Sequence, residues 1–278
     1  LVEGGQSRVV EVDGLAVGGR VNVPPWWTVT LLLCVSLPAF AQSRWPDEYT
    51  DPPFYYHADF QMERLVPLLS TVSQLQHEVP QQLKLGSVKE PVHVFLFART
   101  SQYQQYVSKW FPHVPTRPAL FIKRRGPGMV FAHYGPELAV DLRHETTHAV
   151  LHSILPMVPL WLDEGLAEYF EVPAEQRPHG HEHHKATFQR AKWGRVADLT
   201  RLEKLGDIAE MRAEHYRDAW AWVHFMLHGP AAAKQTLHGY LRDVEAHTPP
   251  GRLSERLQRS VPNLQRQFLN HFRQWKPR

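Results

Sequence analysis

Asp141-Leu142-Arg143-His144-Glu145-Thr146-Thr147-His148 is followed, beyond a proline-punctuated link, by Trp161-Leu162-Asp163-Glu164-Gly165-Leu166-Ala167-Glu168-Tyr169-Phe170. The first stretch contains His-Glu-x-x-His, which on a helix sets two imidazoles one turn apart with a carboxylate beside the first. Residues four apart are offset by about 40° and rise by about 6 Å, so both rings can reach one ion. Zinc takes nitrogen and oxygen ligands at about 2.0–2.2 Å in tetrahedral geometry, and a catalytic site keeps one position open. His144 and His148 with one carboxylate from the second stretch would supply three ligands. Glu164 is the carboxylate of choice.

With 18 histidines among 278 residues, the five-residue pattern alone is weak. A random shuffle of this composition produces it roughly 7% of the time. Its surroundings narrow that risk. Val140, Leu142, Ala149, Leu151 and Ile154 predict an amphipathic helix over about 137–155 that buries one side. Gly135-Pro136 precedes it and Pro156 and Pro159 follow, where helices start and stop. A second helix over about 160–171 then presents Glu164 and Glu168 on one face.

Residues 1–41 read as a leader. An apolar run from Trp26 to Leu37 is too short to span a bilayer but suits a signal-peptide core, and Ala39-Phe40-Ala41 is a small-x-small cleavage pattern. Cleavage near Ala41 implies a secreted, periplasmic or cell-envelope protein; an uncleaved membrane anchor is the alternative. The lone cysteine, Cys34, lies within the leader, so residues 42–278 carry no disulfide. The net charge of +3 comes without a run of like charges or an aromatic–basic pattern, which argues against a nucleic-acid partner.

Residues 42–58 read as an extended lead-in and 59–79 as one amphipathic helix. Pro91–Phe97 reads as a buried strand, followed by a helix around Ser101–Trp110. Ala119–Lys123 and Met129–His133 are short strands around a hairpin-like turn, and the second could offer an edge to an extended peptide. Pro173–His184 is a polar, His-rich loop; beyond a helix over about 214–228, two more complete the chain. The fold class is therefore α+β: a small mixed or antiparallel sheet, two helices carrying the site, and a mainly helical C-terminal part. The divisions are 1–41, 42–172 and 173–278, the last two forming one unit.

The combination of Arg143–His148, Trp161–Phe170 and His215-Tyr216-Arg217-Asp218-Ala219-Trp220-Ala221-Trp222-Val223 resembles the gluzincin metallopeptidases, most closely the bacterial exported peptidase MA-like proteins. The resemblance implies a zincin-like catalytic domain, a zinc ion, and a peptide or protein substrate. It places the third ligand at Glu164, a carboxylate orienting a ligand histidine at Glu168, and a tyrosine steadying the oxyanion at Tyr216. No Gly-x-Met-Glu-Asn string is present, which points to an endopeptidase rather than an aminopeptidase.

In that reading Glu145, adjacent to His144, faces the attacking water as general base. The alternative is an inactive zinc-binding envelope protein that scaffolds or binds. His152 continues the series His144, His148, but ligands eight apart lie about 12 Å apart along a helix, too far for one zinc. It reads as packing or as support for a ligand. His179, His181, His183 and His184 form a His-rich tract that could catch metal adventitiously, and they read as a flexible loop near the cleft.

Overall fold

Buried and half-buried residues alternate along Val92–Phe97, and the alternation divides the interior in two. Val92, Val94 and Leu96 face the main core, whereas Phe97 belongs to a smaller cluster with Tyr103, Val107, Phe111 and Phe131 on the opposite face. A strand buried on both faces needs cover on both sides. The computed structural model describes residues 45–275 apart from Thr116 and Arg125. The expected leader, with its cleavage site and Cys34, lies outside the described residues.

The architecture is mixed α and β. Strands β1 (Asp47–Asp51), β2 (Phe54–Ala58), β3 (Val92–Phe97), β4 (Ala119–Ile122) and β5 (Gly128–His133) form one sheet in the order β1-β2-β3-β5-β4. The outer pairs β1–β2 and β4–β5 are antiparallel, and the inner pairs β2–β3 and β3–β5 are parallel. Residues 47–58, expected as a lead-in, are thus a hairpin that supplies two strands. The expected edge also changes place. β5 is flanked on both sides, and β4 is the outer strand, because β5 continues the parallel pairing of β3 and leaves β4 only one neighbour.

Helices α1 (Val66–Ser73) and α2 (Leu75–Leu83) replace the single helix expected over 59–79. The chain bends at Gln74, and Pro80 inside α2 supplies no backbone N–H to its ladder. Helix α3 (Thr100–Trp110) covers the smaller cluster. Helix α4 (Leu138–Ile154) packs on β4, β5, α1 and α2. It was expected to bury one side, but residues 146–151 are buried around the full circumference, while Val140 is exposed. A helix enclosed by sheet and helices has no solvent side to keep polar.

Helix α5 (Leu160–Phe170) follows, then α6 (His183–Lys192), α7 (Leu199–Leu202), α8 (Ala213–His228), α9 (Ala231–Glu245), α10 (Leu253–Ser260) and α11 (Leu264–Gln274). Three helices, not two, follow α8. The closest helix pairing is α5 on α8. A Cβ placed on Gly165 would stand 2.8 Å from the carbonyl carbon and oxygen of Ala219 and 3.1 Å from Val223 Cγ2. Glycine is needed there because the two backbones meet at that point. No helix among the described residues is long and apolar enough to cross a membrane.

Candidate metal centre

Helix α4 presents His144 and His148 toward α5, which returns Glu164 against them. His144 Nε2 lies 3.5 Å from Glu164 Oε2, and His148 Nε2 lies 3.8 Å from the same oxygen. Three ligand atoms of one tetrahedral zinc, with bonds of about 2.0–2.1 Å, would stand about 3.3 Å apart. The ligand atoms of all three residues lie within 4.8 Å of one another. The set of two imidazoles and one carboxylate therefore fits a divalent cation in both spacing and chemistry. Glu164 is nearly fully buried, and the Gly165 contact with α8 fixes its backbone.

The far side of each imidazole has its own carboxylate. His144 Nδ1 donates to Glu171 Oε2 at 2.9 Å, which sets the ring so that Nε2 points toward Glu164. His148 Nδ1 lies 3.0 Å from Asp163 Oδ1, and the other oxygen of Asp163 accepts from His152 Nε2 at 2.9 Å. His152 thus supports a ligand through Asp163, one of the two roles expected of it. Phe121 on the outer strand β4 stacks over both His148 and His152, at centroid distances of 6.4 and 5.6 Å.

Glu168, expected to orient a ligand, lies with His144 and Glu171 within 4.8 Å but makes its nearest contacts elsewhere. Glu168 faces His183 Nε2 at 3.0 Å and His181 Nε2 at 3.7 Å, while Glu171 and Asp163 take the positions behind the ligand rings. The reason is helical geometry. Glu168 lies one turn beyond Glu164, whereas Glu171 lies two turns beyond it, opposite the outer nitrogen of His144. The series 164, 168, 171 on one helix face was the available signal for Glu171; Asp163 has only its adjacency to Glu164.

Electrostatics favour a cation here. Burial opposes a charge on His144 and His148. For His144 this is outweighed by Glu164, Glu171 and Glu145, and its pKa stands well above the ordinary range. For His148 it is outweighed by Asp163 and Glu164, which hold its pKa at about 9. Asp163 is driven far down despite its burial, chiefly by His148 and His152. The field that would hold protons on these rings is the one that would hold a divalent ion in their place.

Glu145 is half-buried beside His144, and its charge raises the Asp141 and Tyr103 pKa values after burial has raised both. Tyr216, near the start of α8, is half-buried. Burial raises its pKa and the charge of Glu164 adds to the rise, while those of Arg117 and His144 oppose it. Arg117, in the segment leading to β4, acts on both Tyr103 and Tyr216. It is a cation at the site that sequence reasoning did not single out, since a lone arginine in a loop carries no pattern.

A groove of about 690 Å³ between Ala197, Trp222, Ser254 and Leu264 shares no residue with this centre. Its one carboxylate, Asp198, is occupied in capping α7. No protein-family model and no curated protein matches the chain.

Proposed function

We propose that the chain is an exported zinc-dependent metallopeptidase with a zincin-like catalytic domain, acting as an endopeptidase on peptide or protein substrates. The observation that carries the reading is the meeting of His144, His148 and Glu164 around one point, with Glu145 alongside. A five-stranded mixed sheet packed on the helix that carries both histidines agrees with it. Export rests on the sequence of residues 1–41 alone.

His144, His148 and Glu164 would hold the ion, with Glu171 and Asp163 setting the rings. Bound zinc would supply Lewis acidity and lower the pKa of a water toward about 7. Glu145 takes the proton of the attacking water and hands it to the departing amine. Tyr216, kept protonated by its raised pKa, donates to the oxygen that becomes negative. Among the described residues β4 is paired on one side only, by β5, so its outer edge can align an extended peptide beside Phe121 and His148.

The test is metal content per full-length chain together with cleavage of a mixed-peptide library, in wild type and Glu145→Gln. Stoichiometric zinc and cleavage that Glu145→Gln abolishes support the peptidase. Zinc at this site without any cleavage turns the reading into a binding scaffold. Absence of zinc after supplementation overturns it.

A further inference from the structure

We propose a second divalent-cation site beside the first, built from Glu168, His181 and His183, with Glu171 as a carboxylate that reaches both centres. Residues 181–183 join the 173–182 segment to α6, and the segment is packed in place rather than loose. The His181 side chain is 1% exposed and stacks on Trp220 at 4.9 Å with an interplanar angle of 21°. His183 approaches the same indole edge-on. Glu182, between them, points to solvent with 81% of its side chain exposed. Alternate residues therefore turn two imidazoles inward onto α5.

There they meet Glu168 on α5 and Glu171, the residue that caps the C-terminus of α5, about one turn apart. Glu168 Oε2 lies 3.0 Å from His183 Nε2 and 3.7 Å from His181 Nε2, and Glu171 Oε1 lies 3.0 Å from His181 Nε2. These separations bracket the roughly 3.3 Å edge of a tetrahedral zinc site. Two imidazoles and the Glu168 carboxylate, whose ligand atoms all lie within 4.8 Å of one another, would supply three ligands, with Glu171 held against His181.

Two further observations favour a cation over plain ion pairing. His183 Nε2 is buried and makes no hydrogen bond, although a carboxylate oxygen lies 3.0 Å away. Moreover, no lysine or arginine among the described residues pairs with Glu168 or Glu171, so only the imidazoles face these largely buried carboxylates.

Binding shifts a proton. His181 Nδ1 now accepts the His183 amide at 3.1 Å, and its Nε2–H donates to Glu171. With the metal on Nε2, that proton moves to Nδ1, and the contact with the His183 amide opens. The loss of two local hydrogen bonds, to the His183 amide and to Glu171, accompanies the gain of a metal bond. Because Glu171 also holds His144 Nδ1, the second ion would pin the 173–184 segment to α5 and fix the carboxylate that sets His144.

The site is independent of the peptidase reading. Full-length protein is stripped with chelator, reloaded with zinc, dialysed, and its zinc per chain measured by elemental mass spectrometry, with folding checked by circular dichroism. Wild type is expected to hold two equivalents, His183→Ala one, and His148→Ala one. Glu168→Gln gives the same loss should His183→Ala fail to fold. His179→Ala, in the same tract but outside the cluster, is expected to keep two. Wild type with one equivalent that survives His183→Ala and vanishes in His148→Ala overturns the second site alone. One equivalent lost in His183→Ala and kept in His148→Ala supports the second site and overturns the first. Retention of two in His183→Ala and Glu168→Gln, or equal loss in His179→Ala, overturns the proposal, and no bound zinc in wild type overturns both centres.

Discussion

Two groups of histidines, both reaching Trp220, differ in what their ring nitrogens face. In the first, His144, His148, His152, His181 and His183 each face a carboxylate from α5. In the second, His224, His228 and His271 pack among themselves and against Phe272 and Trp275. Their polar partners are neutral: His224 Nδ1 meets His271 Nε2 at 3.0 Å, His224 Nε2 meets the Pro178 carbonyl, and His228 Nε2 meets the Tyr169 hydroxyl. Burial pulls all three pKa values down, to about 4 for His228, about 3 for His271, and well below normal for His224. Burial acts on both groups alike. The carboxylates of α5 decide which group is fit for a cation and which is core.

The largest effect expected from this contrast is on metal. His148→Phe should remove the first equivalent of zinc and all turnover, whereas His224→Phe should leave zinc content unchanged in elemental analysis. Loss of metal in both would erase the distinction. Next comes α8, which serves both groups. Tyr216→Phe, at its site end, should lower kcat by about 10²–10³ with zinc retained, the usual loss on removing one oxyanion donor. An unchanged kcat would make Tyr216 a packing residue.

Smaller effects should follow from the carboxylates behind the rings. Glu171→Gln and Asp163→Asn should weaken zinc about 10–100-fold in chelator competition. Glu168→Gln should weaken the His181–His183 centre and leave the first centre's affinity within a few-fold.

The last effect is on stability as pH falls. Unfolded histidines take up protons near pH 6.5, while His224, His228 and His271 stay neutral in the fold. The unfolded chain then binds more protons, and stability declines from about pH 6.5 downward, continuing through pH 4, where His228 titrates. Each such group costs up to about 1.4 kcal/mol per pH unit. His144 and His148, already protonated in the metal-free fold, add nothing to this slope below pH 6.5. Denaturant midpoints of metal-free protein at pH 7, 6 and 5 should fall in that order; a flat series would mean that the second group is charged.

The site was legible where chemistry imposes spacing. His144, His148 and Glu164 follow from helical periodicity, and both helices run within two residues of their expected limits. Glu171 and Asp163 escaped because an outer hydrogen bond tolerates several registers, so no fixed spacing announces it. At 181 and 183 composition predicts a loose tract, since it does not reveal the indole of Trp220, nearly forty residues later, against which both histidines pack. The edge strand was misplaced for a related reason. Hydropathy shows that Met129–His133 is apolar, but not that it lies between two neighbours, which depends on pairing with a strand more than thirty residues earlier.

At Gly165 the helix bearing Glu164 and the helix bearing Tyr216 touch through their main chains. Side chains can change rotamer; abutting backbones cannot. The span from the carboxylate on one helix to the hydroxyl on the other is therefore set by a hard stop. Any motion that opened or closed the centre would have to carry α5 and α8 together.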